Sequence, residues 1–163
     1  MIALQPVTWH NIGDVIDLKI HESQEGFLAP NVYGIAQAYV AWAANGHQPI
    51  TLAIFKNDDA IGFAMLEYKT AEENEYKNNS HPYYYLSNFM IDKNHQGKGY
   101  GKAALKEVIK YLHTAKPQLA AASIYLSYKP NNAIARRLFA SVGFVETGET
   151  EDGDDIVACL VLK

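Results

Sequence analysis

Gln96-Gly97-Lys98-Gly99-Tyr100-Gly101 is the stretch whose reading decides the fold; it lies between the apolar segment Tyr83–Ile91 and a helical segment beginning near Lys102. Three glycines in five positions, followed at once by a helix, expose several backbone N–H groups at a helix N-terminus. Those donors and the positive end of the helix dipole suit a phosphate or pyrophosphate. Two other phosphate motifs fail on spacing. A nucleotide P-loop needs four residues between its first Gly and the Gly-Lys pair, then Ser or Thr for magnesium. Gly97 to Gly101-Lys102 leaves three, and Ala103 replaces the hydroxyl. The dinucleotide fingerprint Gly-x-Gly-x-x-Gly is one residue longer than the run from Gly97 to Gly101.

Outward from the glycines, the hydrophobic pattern alternates between strand and helix periods. Ile2–Val7 reads as a first strand, and Asn11 is placed to cap a helix carrying Ile12, Val15 and Ile16. Asn31 is placed to cap a second helix whose apolar stripe is Val32, Ile35, Ala36, Tyr39, Val40 and Ala43, ending at Gly46. Ile50–Phe55 and Ala60–Tyr68 bracket Asn57-Asp58-Asp59 as a hairpin, and Thr70–Pro82 is a polar loop. After the glycines, Leu105, Val108, Ile109 and Leu112 form a buried stripe opposite Lys102, Lys106 and Lys110, and Pro117 ends that region. Ser123–Tyr128 reads as a strand and Asn132–Val142 as a helix stopped by Gly143. Val145–Gly148 and Ile156–Leu162 read as strands joined by Glu149–Asp155. This alternation predicts an α/β fold with a mixed sheet, and 163 residues without a linker or repeat predict one domain, 1–163.

Composition narrows the function classes. A net charge of −4 disfavours nonspecific nucleic-acid binding, although Lys98, Lys102, Lys106 and Lys110 gather around the glycine loop. Acids cluster in Glu22–Glu25, Glu67–Glu75 and Glu146–Asp155, which suits an anionic ligand on one side and a cationic one on the other. No run of 18 apolar residues and no signal pattern at Met1–Gln5 are present, so the expectation is a cytoplasmic protein without a membrane partner. The single Cys159, in an apolar strand-like run, reads as a core residue. His10, His21, His47, His81, His95 and His113 lack metal-ligand spacing, so no metal site is expected.

Gln96, Gly99 and Gly101 match the pyrophosphate loop Gln/Arg-x-x-Gly-x-Gly/Ala of the GNAT superfamily of N-acetyltransferases. Asn132, Ala135, Leu138, Gly143 and Phe144 match that family's Asn-x-x-Ala-x-x-Leu-Tyr-x-x-x-Gly-Phe, with Phe139 in place of the tyrosine. The chain therefore resembles a GNAT domain over roughly its C-terminal half. The resemblance implies a mostly antiparallel sheet of about seven strands flanked by four helices, with two parallel strands splayed around acetyl-CoA. It also implies a homodimer.

For the cosubstrate, the resemblance implies main-chain contacts at Phe89, Met90 and Ile91 and a pyrophosphate held by the N–H groups of Gln96, Gly97, Lys98, Gly99, Tyr100 and Gly101. Lys98, Lys102, Asn132, Ala135 and Arg137 are further candidates on that side. An amine must lose a proton before it attacks a thioester, because an alkylamine of pKa near 10 is protonated at neutral pH. In several relatives a carboxylate stands eleven residues before the loop's Gln, but here that residue is Tyr85. Glu67 is then the first alternative base, while Tyr85 and Tyr128 can replace the missing hydroxyl of Phe139.

Glu22-Ser23-Gln24-Glu25-Gly26-Phe27-Leu28-Ala29-Pro30-Asn31 resembles a segment of bacterial spermidine/spermine-type acetyltransferases. That points to a polyamine acceptor drawn to Glu22 and Glu25. Another amine acceptor, or acetyl-CoA binding without transfer, is the competing expectation.

Overall fold

The computed structural model describes residues 1–115 and 120–162; the expected stop at Pro117 lies outside the described residues. In chain order the elements are β1 (Ile2–Pro6), α1 (Ile12–Asp17), α2 (Asn31–Asn45), β2 (Ile50–Lys56), β3 (Asp59–Lys69), β4 (Tyr83–Ile91), α3 (Tyr100–Ala115), β5 (Ser123–Tyr128), α4 (Ala133–Ala140), β6 (Val145–Glu151) and β7 (Asp155–Val161). The strands form one seven-stranded sheet in the order β1-β2-β3-β4-β5-β7-β6. Among the described residues β4 and β5 make its parallel pair, and the other neighbours run antiparallel.

Each face of the sheet is covered by helices because its side chains alternate between two apolar layers. Leu52, Ile54, Ala64, Leu66, Tyr84 and Leu86 meet the buried stripe of α3, Leu105, Val108 and Leu112, together with Phe139 of α4. On the opposite face Ala53, Phe55, Phe63, Met65 and Met90 pack against Val15 of α1 and Ala38 of α2. Lys102, Lys106 and Lys110 stay exposed on α3, as its period predicts.

The α2 stripe differs from the expectation. Its buried residues are Asn31, Gly34 and Ala38, with Ile35 of the expected stripe half-buried against the same layer, while Val32, Tyr39, Val40 and Trp42 face outward. The reason is spacing: a Cβ built on Gly34 would lie 3.2 Å from Asn88 Nδ2 and 3.3 Å from Phe63 Cε1. At Gly34 the helix lies so close to the sheet that a larger side chain would press on Asn88 and Phe63. The two asparagine caps also differ. Asn31 is inside the helix, and its amide donates to the Val15 carbonyl at 2.8 Å, tying α2 to α1. Asn11 accepts from Thr8 N at 2.8 Å and donates to the Pro6 carbonyl at 3.0 Å, holding the turn out of β1. β6 extends to Glu151, so the final hairpin turns over residues 152–154 rather than over a long loop.

Two irregularities in β4 position everything that follows. The β3–β4 register passes from Leu66↔Leu86 to Met65↔Asn88, which leaves Ser87 as the extra residue of a bulge. The parallel β4–β5 pairing covers only Tyr83–Tyr85 with Ser123–Tyr125, after which the strands part.

Candidate active site

Where β4 and β5 part, a cleft of about 510 Å³ opens. Its floor is Leu86 to Ile91 on one arm and Leu126 to Tyr128 on the other. Beyond Tyr85 and Tyr125 the facing strand edges no longer pair with each other, so their backbone donors and acceptors require another partner. One end of the cleft meets the glycine turn, and the other meets the point where the strands join.

The glycine turn is held in shape by its neighbours. Gly97 and Gly99 adopt φ of +74° and +79°, a region that side chains with a Cβ enter at a cost. The Gln96 side chain donates to the Ile91 carbonyl at 2.9 Å and exchanges amide hydrogen bonds with Gln24. Asp92 accepts from Lys19 N and from Asn94 N, both at 2.9 Å, and these hydrogen bonds hold its carboxyl below its ordinary value. α3 starts at Tyr100, so the N–H groups of its first turn have no intrahelical acceptor and point toward the turn.

Of the residues expected around a cosubstrate, Phe89, Met90, Ile91, Gln96, Gly97 and Gly99 line the cleft. So do Gly101, Lys102, Asn132 and Ala135. Asn132 Oδ1 accepts from Ala135 N at 3.1 Å, capping α4 while the residue lines the cleft. Three expected residues send their side chains elsewhere, while the main-chain N–H groups of Lys98 and Tyr100 stay with the turn. Lys98 Nζ turns back to the Asn94 carbonyl at 2.8 Å, Tyr100 packs against the α3 core, and Arg137 is exposed on α4.

The acid–base candidates separate by sheet face. Tyr128 lines the cleft and donates to Glu146 at 2.8 Å; burial, then this carboxylate, pushes its phenol up to about 12. Glu67 lies off the cleft, opposite Tyr85 in the register and 3.2 Å from Lys69 Nζ. Tyr85 also stands behind the lining, with its hydroxyl between Ser127 and Glu151. Glu22 and Glu25 are exposed on the segment between α1 and α2, and their neighbours Gln24, Phe27 and Leu28 line the cleft.

Phe139, 8% exposed, lines the cleft and sits between Phe89 and Tyr128, with ring centroids 6.3 and 6.0 Å away. It fills the place of the family's tyrosine with carbon alone. Cys159 is half-buried against Tyr125, and burial pushes its thiol up, which disfavours the thiolate a nucleophile needs. Among the described residues no group of three or more His, Cys, Asp or Glu side chains could hold a metal, and no helix is long and apolar enough to cross a membrane.

Sequence reasoning passed over three polar residues at the strand junction: Ser87, Asn88 and Ser127, all lining the cleft. Asn88 is 6% exposed, and its Oδ1 has no hydrogen-bond partner. Only the β4 bulge brings Ser87 and Asn88 here, and a bulge has no signature in a run as ordinary as Leu86-Ser87-Asn88-Phe89.

Residues 18–144 match the model of the Acetyltransferase (GNAT) family. A probable spermine N(1)-acetyltransferase of Bacillus subtilis subsp. natto (strain BEST195) is 30% identical over 150 residues, covering 92% of this chain and 91% of the relative. The spermine/spermidine N(1)-acetyltransferase of Bacillus subtilis (strain 168) is 29% identical over the same shares. Among solved structures, an aminoglycoside acetyltransferase in complex with coenzyme A superimposes with a TM-score of 0.75 at 15% identity, covering 99% of this chain and 95% of the other. The PaiA N-acetyltransferase of Thermoplasma acidophilum, in complex with coenzyme A, gives 0.68 at 15% identity over 99% of both chains. With its glycine turn, parted parallel strands and matched sequence, the chain belongs to the Acetyltransferase (GNAT) family and is an acetyl-CoA-dependent N-acetyltransferase.

Proposed function

We propose that this protein, as one domain over 1–163, transfers the acetyl group of acetyl-CoA to a primary amine of a polyamine such as spermidine or spermine. The observation that carries the reading is a single cleft with a glycine turn at one end and an unpartnered buried amide oxygen, Asn88 Oδ1, near the other. The turn suits a pyrophosphate, and the amide oxygen suits an amine N–H. The names of the two relatives favour a polyamine, and the exposed Glu22 and Glu25 beside the cleft mouth would draw a multiply charged cation.

In this reading the pantetheine runs between the strands and takes main-chain hydrogen bonds from Phe89, Met90 and Ile91. The N–H groups of the glycine turn and α3 hold the pyrophosphate, and Lys102 adds positive charge. The amine attacks the thioester directly within a ternary complex. With carbon at Phe139, coenzyme A leaves as a thiolate, which a reference thiol pKa of about 8.5 tolerates.

The test is thiol release from acetyl-CoA by the purified protein with spermidine, spermine, shorter diamines, aminoglycosides and amino acids. Turnover confined to polyamines is the expected result. Turnover only with another class would remove the polyamine and keep the transfer. A second copy of this chain is the partner we propose for the outer face of α2, where Tyr33, Tyr39, Val40 and Trp42 are exposed. Sedimentation of a monomer at micromolar concentration would remove that partner.

A further inference from the structure

Three side chains from strands far apart in sequence line up behind the strand junction. Ser127 of β5 lines the cleft. Its Oγ lies 3.1 Å from Tyr85 Oη of β4, and Tyr85 Oη donates to Glu151 Oε1 at the end of β6. The other oxygen of Glu151 accepts from Tyr76 Oη at 2.9 Å. The direction of the chain is fixed by valence. An ionised carboxylate only accepts, so the single Tyr85 proton goes to Glu151, and Ser127 must donate to Tyr85. The Ser127 lone pairs are then left to the cleft.

We infer that Ser127, Tyr85 and Glu151 form a proton relay that deprotonates the acceptor amine, with Glu151 as the terminal base. The inference rests on the transfer reading above. The ammonium gives a proton to Ser127 Oγ as the Ser127 proton passes to Tyr85 Oη and the Tyr85 proton to the Glu151 carboxylate. The free amine then attacks the thioester carbon, forming the C–N bond; the C–S bond breaks and its electron pair leaves on the coenzyme A thiolate. The second proton lost from nitrogen neutralises that thiolate through solvent, and Glu151, which is half-exposed, returns its proton to water.

The surroundings suit a conduit. Burial, then the bond to Glu151, holds the Tyr85 phenol above its ordinary value, so it passes a proton only as it receives one. Around Glu151 stand Tyr76 from the β3–β4 loop, Tyr83 and Tyr85 from β4 and Asp155 opposite it on β7, with Glu149 two residues earlier on its own strand and Asp152, which acts on Tyr85, next in the turn. Asp155 is itself paired with Lys129 at 2.7 Å. The relay also accounts for Tyr85 standing where relatives carry a carboxylate: the negative charge sits one hydrogen bond further back.

The experiment measures kcat and acceptor KM between pH 7 and pH 10 for the wild type and for Tyr85→Phe, Glu151→Gln and Ser127→Ala, with coenzyme A binding as a check on folding. If the wild type acetylates no amine, the transfer reading fails and the relay with it. Given wild-type turnover, each variant is expected to lose about ten- to a hundredfold in kcat at pH 7, within the range of acid–base contributions, with acceptor KM within about threefold. The loss should shrink to a few-fold or less near pH 10, where about half of an alkylamine of pKa near 10 is already free. Tyr85→Phe combined with Glu151→Gln should be no slower than the worse single variant. Equal losses at both pH values, or no loss in variants that still bind coenzyme A, would overturn the relay and leave the transfer reading standing.

Discussion

Gly62→Ala tests how the cleft wall is built. Gly62 lies in the middle of β3 opposite Ile91. A Cβ there would stand 2.5 Å from the Met90 carbonyl oxygen, 2.9 Å from Ile91 Cδ1 and 3.1 Å from Ile54 Cδ1. The isoleucine tips can move, but the carbonyl belongs to a strand paired along its length with β3. Forcing a methyl into a packed interior costs about 1–3 kcal/mol, and a backbone obstacle places this site in the upper part of that range. Replacing Gly by Ala recovers about 0.4–1 kcal/mol by restricting the unfolded chain. The net loss is about 2 kcal/mol, or a fall in Tm of roughly 4–8 °C for a domain of this size. Because Met90 and Ile91 line the cleft, the same shift should weaken coenzyme A binding several-fold. Thermal unfolding followed by circular dichroism, with calorimetric titration of coenzyme A, reads both effects. An unchanged or raised Tm would refute the claim that β3 and β4 are held too closely for a methyl group.

Gly99→Ala places a Cβ in open space but at φ +79°, so the cost is backbone strain alone, about 1–2 kcal/mol. Urea unfolding should register that loss, and the KM for acetyl-CoA should rise about tenfold with kcat little changed. Phe139→Tyr puts a hydroxyl among Phe89, Tyr128 and Phe144 at the cleft wall, so some stability should be lost while the departing thiolate gains a donor. A rise in kcat of about tenfold is expected; an unchanged kcat would show that the thiolate needs no direct protonation. Tyr84 and Tyr128 are raised from 10.0 to about 12, chiefly by burial. A raised folded value contributes stability that is present below pH 10 and disappears as the pH rises through about 12, so denaturation midpoints should fall across that window in step with tyrosinate absorbance.

The parts of this fold that were legible in the sequence are those set by local pattern. β4 and β5 begin and end where their apolar runs do, and the glycine turn announces itself because glycine meets its left-handed backbone angles most cheaply. α2 misled for a physical reason. The apolar spacing turned Val32, Tyr39 and Val40 inward, but the space between helix and sheet at Gly34 and Ala38 selects by volume, and those three residues face outward while Ile35 alone of the larger ones packs on the sheet. The junction was illegible for another reason. Ser127, Tyr85 and Glu151 meet only through the order β4-β5-β7-β6, which places residues 66 apart in sequence on one hydroxyl. Ser87 and Asn88 reach the cleft through a one-residue slip against β3 that their own identities do not announce.

The stitching of the glycine turn has a consequence for how two ligands sense each other. Asp92 grips the backbone of Lys19, Lys93 N donates to the Lys19 carbonyl at 2.7 Å, and Gln96 clasps Gln24. The segment between α1 and α2, beside which we propose the acceptor enters, is thus sewn to the turn that suits the donor's pyrophosphate. Neither can stiffen alone. A donor that orders the turn prepays part of the entropy the acceptor would otherwise spend on that segment, and by thermodynamic reciprocity an acceptor does the same for the donor. In the proposed reading the two substrates share one stretch of fixed backbone rather than two independent walls.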